Sequence, residues 1–233
     1  MTHTRIVDRN RTLLMVCDCQ ERFREGTHGF GWMAKSIVKM LKAARFLKVS
    51  RTIRPIAVGI SSRLLTRFVS QMATLLTEQN GSGPTADEIR AEAYGPQHLG
   101  TFGKDCFSMI TDEVRPLLKN YDNIILVGIE AHVCILQTAL DLLDRPRFHR
   151  RVFILADAIS ACHELEIPLA LDRMRDTGAV VTTSEAMLFQ MMGDGTGSND
   201  KPISELIKNE RANTAKALET LLPHPSATAP ISK

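Results

Sequence analysis

Cys134 is one of five cysteines, at positions 17, 19, 106, 134 and 162, and its neighbourhood suits it for chemistry. The apolar run Ile124-Ile125-Leu126-Val127 closes at Gly128. A few residues later Cys134 opens a stretch whose Leu136, Ala139, Leu140 and Leu143 fall at helical spacing. A thiol where a buried strand turns into a helix feels the positive end of the helix dipole, which favours thiolate. Free backbone N–H groups at the same turn can hold an oxyanion formed by attack on a carbonyl. The same local pattern equally describes a small buried cysteine at the start of a core helix. Asp18 closes another apolar run, Leu13-Leu14-Met15-Val16-Cys17. A carboxylate at that depth must be paired or solvated. It reads as a general base that takes the thiol proton and returns it to a leaving group, or as the cap of a turn.

Lys104 stands in Thr101-Phe102-Gly103-Lys104-Asp105-Cys106-Phe107-Ser108-Met109, a loop flanked by aromatic residues. A lysine beside a thiol and a carboxylate stabilises the thiolate and orients the acid, although most lysines are solvated surface groups. His132 precedes Cys134 by two residues, and a turn can point it either way; with Asp18 as base, it has no need to be one. His163 reads as a loop residue. Cys17 and Cys19 project to one face if both lie on the strand, and no second ligand pair stands nearby to make a metal site.

These residues need a frame that brings them together. Leu13–Cys17, Ala73–Thr77, Asn123–Ile129, Arg151–Ala156 and Ala179–Thr182 read as strands, mostly apolar runs buried on both faces. Trp32–Lys48, Asp112–Asn120, Cys134–Leu143, Glu166–Thr177 and Ala186–Met192 read as helices, with Pro116 distorting the second and Ser184-Glu185 capping the last. The alternation predicts an α/β fold: a three-layer α-β-α, Rossmann-like arrangement with a mostly parallel central sheet. Ligands then bind at the carboxyl ends of the strands, where Asp18, Glu78, Gln79, Cys134 and Asp157 are expected to converge.

The whole chain of 233 residues, 44% hydrophobic and 24% charged, suits one globular domain. A net charge of +3, spread along the chain, argues against nucleic acid or a membrane surface as partner. No apolar run is long enough to span a bilayer. With no apolar signal core at the N-terminus, the expected compartment is the cytoplasm, with the thiols reduced. No Gly-x-Gly-x-x-Gly follows the first strand, which removes a dinucleotide-binding reading. The Pro/Ser/Thr-rich segment from Pro223 onward is expected to be disordered.

In this order, three motifs resemble the isochorismatase-like cysteine hydrolases. They are Leu13–Phe23 with its Asp18-Cys19-Gln20, then Lys104-Asp105-Cys106-Phe107-Ser108, then Gly128 through Asp141. The resemblance continues through Ala156-Asp157-Ala158 and Gly178–Glu185 and covers most of residues 11 to 210. Among subgroups, Thr77-Glu78-Gln79-Asn80 and Ile203-Ser204-Glu205-Leu206 are most similar to the isochorismatase domain-containing proteins. The resemblance implies a triad of Cys134, Asp18 and Lys104, with a cis peptide before Val133 and backbone N–H groups of Glu130 and Cys134 as the oxyanion hole. Phe23, Gln79, Phe107 and His132 are candidates to line the substrate pocket. It also implies a homo-oligomer and a small-molecule substrate.

Two departures refine this. Nicotinamidases of the family carry an Asp-x-His-x-His metal site after the second strand, whereas Glu78-Gln79-Asn80-Gly81-Ser82-Gly83 holds no histidine. The expectation is a metal-independent, cofactor-free cysteine hydrolase, leaning towards amide-like C–N bonds. A vinyl-ether hydrolase and a catalytically idle binding protein on the same fold are the alternatives. The second departure is Val49 to Gln71, which has no clean period and which the subgroup lacks. Val49-Ser50 can be encoded by GTAAGT and Phe68–Gln71 by a pyrimidine-rich run ending in CAG, the edges expected of an intron. The segment reads as an unspliced in-frame intron, with a genuine loop insertion as the alternative. The domain is therefore bounded at 11–210, interrupted by 49–71 and followed by a tail, 211–233.

Overall fold

Leu13 to Cys17 is apolar at every position because both of its faces are covered. In the computed structural model, which describes residues 7–47, 49–51, 68–70, 72–144, 150–193 and 200–222, this strand lies within a six-stranded sheet. The strands are β1 (Thr12–Cys17), β4 (Ala73–Gln79), β5 (His98–Lys104), β6 (Asn123–Gly128), β7 (Arg151–Ile159) and β8 (Val180–Thr182), after a separate pair β2 (Val49–Arg51) and β3 (Phe68–Ser70). Their order is β5-β4-β1-β6-β7-β8, and every neighbouring pair is parallel. The helices are α1 (Phe30–Phe46), α2 (Asp87–Ala93), α3 (Leu136–Leu143), α4 (Glu166–Asp176), α5 (Ser184–Met192), α6 (Asp200–Asn209) and α7 (Arg211–Leu221).

Two cores follow from the period of two along each strand. Leu14, Val16, Ile125, Val127, Phe153 and Leu155 pack with α1, α2, α5, α6 and α7 on one face. Leu13, Met15, Cys17, Ile124, Leu126, Val152 and Ile154 pack with α3 and α4 on the other. The expected three-layer α/β fold is the fold observed. Glycine shapes it where the backbone requires it. Gly178, at φ +101, closes α4, with the Ala179 and Gly178 N–H groups returning to the Met174 and Arg175 carbonyls at 3.0 Å each.

Several elements differ from the sequence expectation, each for a physical reason. Asp112–Asn120 holds a turn and then a 3-10 helix, Arg115–Asn120, because Pro116 supplies no N–H to an α-helical ladder. Lys104 is the last residue of a strand, not a loop residue: β5 pairs with β4 and sets Lys104 opposite Gln79. Strand β7 runs to Ile159, so Asp157 lies inside it, fully buried. The Asp157 carboxylate accepts the Ser184 N–H at 2.7 Å and the Ser184 hydroxyl. It is a structural group that ties β7 to α5, not a strand-end functional one. The cap of α5 is Thr183, whose Oγ1 accepts the Ala186 N–H at 3.2 Å, and Ser184 is the helix's first residue. Beyond residue 210, α7 places Ala217 and Leu221 in the core against α1. The segment from Pro223 onward, expected to be disordered, lies outside the described residues.

Within Val49 to Gln71, the described ends pair antiparallel, Val49 with Ser70 and Arg51 with Phe68. The excursion therefore leaves and returns at one place, between the end of α1 and the start of β4. That is the amino end of the strands.

Candidate active site

Strands β4 and β5 lie to one side of β1, and β6, β7 and β8 to the other. The chain changes direction between β1 and β6, and the crevice beyond the carboxyl ends of two such strands is where open parallel sheets bind ligands. Asp18 follows β1 directly, and Cys134 follows β6 by a short turn. Gly128 allows the two strands to meet there. At φ +113, it faces Cys17, and a Cβ at this position would lie 2.2 Å from the Cys17 carbonyl oxygen. No other residue type fits without moving a strand.

Asp18 leaves β1 at a left-handed φ of +49 and is 3% exposed. Its N–H donates to the Thr77 carbonyl at 3.1 Å, and the Thr77 hydroxyl donates to Asp18 Oδ1 at 2.9 Å. Its other oxygen, Oδ2, stands 2.7 Å from Lys104 Nζ. That ammonium, also buried, donates to Gln79 Oε1 at 2.9 Å, to the Cys106 carbonyl at 3.0 Å and to Cys134 Sγ at 3.5 Å. Burial would lower the Lys104 pKa, but the Asp18 carboxylate and the Cys134 sulfur outweigh it and hold the ammonium charged. Asp18, Lys104 and Cys134 thus converge from three different strands.

Cys134 sits in a π-helical turn, Ala131–Ile135, that runs into α3. The Ile135 N–H reaches back to the Glu130 carbonyl at 3.1 Å, and the Ala131 N–H donates to the Ser160 carbonyl at 2.8 Å. Thr138 Oγ1 donates to the Cys134 carbonyl at 2.6 Å and accepts the Met109 N–H at 2.9 Å. These bonds fix the turn. The Cys134 thiol is pulled below its ordinary pKa, foremost by the neighbouring Cys17 thiol and then by the Lys104 charge, against the opposing effects of burial and Asp18. A cis peptide is present but lies between Ile129 and Glu130, not before Val133. The Val133 N–H is engaged by the Glu130 carbonyl at 3.1 Å.

The pocket candidates separate. Gln79 supports Lys104, and Gln20 fixes it in turn: Gln20 Oε1 accepts the Gln79 N–H at 2.8 Å, and Nε2 donates to the Gln79 carbonyl at 3.0 Å. Phe23 packs partly buried against the α1 core, and Phe107 is 61% exposed. His132 Nδ1 lies 3.8 Å from Glu130 Oε2, and His163 is exposed. Cys17 and Cys19 do not share a face. The strand ends at Cys17 and Asp18 turns the chain, so Cys17 joins the α3 core and Cys19 the α1 core. The roles of Thr77 and Cys17 were not visible in the sequence.

Among the described residues, the one group of His, Cys, Asp and Glu side chains close enough to share an ion is Cys17, Asp18 and Cys134. The Lys104 ammonium is already bonded to two of these. A divalent ion would sit against that positive charge. Glu78, in the stretch where a metal motif would fall, spends its carboxylate on the Thr85 N–H and hydroxyl, each at 2.7 Å.

Residues 12–186 match the family described as the isochorismatase domain. The chain belongs to this family. Among curated isochorismatase-family relatives, the bovine isochorismatase domain-containing protein 2 is 36% identical over 204 residues, covering 84% of this chain and 83% of the relative. The solved structure of the MAR1 ribonuclease from Caenorhabditis elegans has a TM-score of 0.69 at 29% identity, covering 98% of this chain and 99% of that one. The Escherichia coli YcaC product, described as an octameric hydrolase of unknown specificity, shares the fold with a TM-score of 0.63 at 17% identity, covering 96% of this chain and 93% of that one. Among the described residues, no helix is long and apolar enough to cross a membrane.

Proposed function

We propose that this isochorismatase-family chain is a metal-independent cysteine hydrolase of a small amide-like substrate or a related one, with Cys134 as nucleophile. One observation carries the reading: a buried lysine ammonium bonded at 2.7 Å to Asp18 and at 3.5 Å to the Cys134 sulfur, at the sheet's switch point. Asp18 takes the proton from the Cys134 thiol. The thiolate attacks the substrate carbonyl carbon, the S–C bond forms, and the carbonyl electrons move to oxygen, held by the Glu130 and Cys134 N–H groups. Collapse breaks the C–N bond as Asp18 returns its proton to the leaving nitrogen. Water then gives a proton to Asp18 and attacks the thioester carbon, and the thiol leaves with that proton restored. Lys104 offsets the negative charge on Asp18 and on sulfur throughout.

The test is turnover by the pure protein and by Cys134→Ala against a panel of small amides, ureides and vinyl ethers. The C. elegans relative's name adds an RNA oligonucleotide to that panel. Activity on a C–N substrate that falls roughly 10^4- to 10^6-fold in Cys134→Ala is the expected result. Equal activity of the two proteins would overturn the nucleophile assignment. Vinyl-ether turnover alone would replace the amide reading.

The same proposal places the chain in a reducing, cytoplasmic setting, in keeping with five free cysteines of which Cys106 and Cys162 are exposed. It makes the chain a homo-oligomer, supported by Leu165 and Leu169, which are 74% and 66% exposed one turn apart at the start of α4. A monomer in sedimentation would contradict that part.

A further inference from the structure

The mechanism leaves Cys17 without a task, although it stands beside the nucleophile. It is the last residue of β1, fully buried, on the face that also carries Leu13, Met15 and Cys134. The sulfurs of Cys17 and Cys134 and a carboxylate oxygen of Asp18 all lie within 4.8 Å of one another. The backbone holds Cys17 on both sides, opposite Thr77 of β4 and Gly128 of β6, and its carbonyl accepts the Ile129 N–H at 3.0 Å. Three other thiols have an oxygen to bond: Cys19 the Cys17 carbonyl at 3.3 Å, Cys106 the Ser108 carbonyl at 3.2 Å, and Cys162 the Glu130 carboxylate at 3.1 Å. Among the described residues, no such oxygen bond is made by Cys17; its polar neighbours are the Cys134 sulfur and an Asp18 oxygen, and both Asp18 oxygens are already engaged, by the Thr77 hydroxyl and the Lys104 ammonium.

We propose that Cys17 is a positioning residue for the nucleophile, its buried S–H donating to Cys134 Sγ and holding that sulfur between Asp18 and Lys104. The inference rests on Cys134 being the nucleophile. Two neighbouring thiols on a fixed frame then divide the work. Burial pushes the Cys17 thiol well above its ordinary range, so it stays protonated as a donor. The anion falls to Cys134, which has the lysine at hand. A thiol placed there only to fill space would make no difference to the charge on its neighbour.

The experiment is site-resolved alkylation of Cys134 with iodoacetamide as a function of pH, in the full-length wild type and four variants. Cys17→Ala and Cys17→Ser have nearly equal volume and differ in the donor; Cys17→Val and Cys17→Thr form a second such pair. A donor role predicts that Ala and Val raise the midpoint by about one pH unit and slow labelling at neutral pH about tenfold, while Ser and Thr stay near wild type. Thermal melting identifies the pair that folds, so loss of one pair leaves the comparison intact. A midpoint unmoved by Ala or Val, or moved equally by Ser or Thr, overturns the inference. A wild-type Cys134 that titrates in the ordinary range of a free thiol instead overturns the nucleophile reading on which it rests.

Discussion

At the scale of single residues, the centre of the site is a buried ion pair, and its energetics decide what substitutions will do. Asp18 and Lys104 are both almost fully withdrawn from water and stand 2.7 Å apart. Such a pair gives little net stability over an apolar one, but breaking it strands a charge. Lys104→Met should therefore cost about 3–5 kcal/mol in chemical denaturation, and adding Asp18→Asn to it should recover part of the loss. Additive losses in the double variant would show that the two groups are not coupled. The sequence displayed Asp18, Lys104 and Cys134 but not their supports. Thr77 and Gln20 act through bonds that exist only once β1 and β4 are paired. Cys19 does not share the face of Cys17 because a left-handed Asp18, rare for a non-glycine residue, turns the chain where the strand and the apolar run both end, at Cys17.

At the scale of elements, the site depends on how closely β6 approaches β1. A Cβ on Gly128 would meet the Cys17 backbone at 2.2 Å, and the position is left-handed as well. Gly128→Ala should lose more than about 3 kcal/mol of stability or fail to fold, as read by melting temperature and soluble yield. A variant with wild-type melting would mean that the strands are not packed as described. The long apolar strands and α1 were legible in the sequence, since their pattern reports burial directly. Strand β5 was not. It alternates half-buried and exposed residues, contains Gly100 and Gly103, and sits at the sheet's edge, so neither apolarity nor propensity marks it. Helix α7 went unread for a similar reason: Thr214, Ala217 and Leu221 are buried on it, but apart from Leu218 small and polar residues fill the rest.

At the scale of the whole molecule, the six-stranded sheet is complete without residues 49–71, whose described ends close on each other by antiparallel pairing. Joining Lys48 to Met72 would leave a connection of about three residues between α1 and β4, an ordinary length for a helix-to-strand turn. We expect a chain lacking 49–71 to fold with a melting temperature equal to or above that of the full chain and to keep a reactive Cys134. An unfolded deletion variant would show that the segment is part of the domain.

The central claim is that Cys134 is an activated thiolate made by its surroundings, and labelling at neutral pH addresses it most directly. Access alone favours Cys106 and Cys162, which are exposed, over Cys134, which is 8% exposed. Ionisation favours Cys134, whose pKa is lowered, over Cys162, whose thiol is raised by its bond to Glu130. Because a depressed pKa leaves the thiolate populated at lower pH, Cys134 labelling should persist on acidification after that of Cys162 has fallen away. Limiting iodoacetamide with peptide-level readout should mark Cys134 before the other four cysteines; marking of Cys106 and Cys162 first, with Cys134 reached only on unfolding, would contradict it.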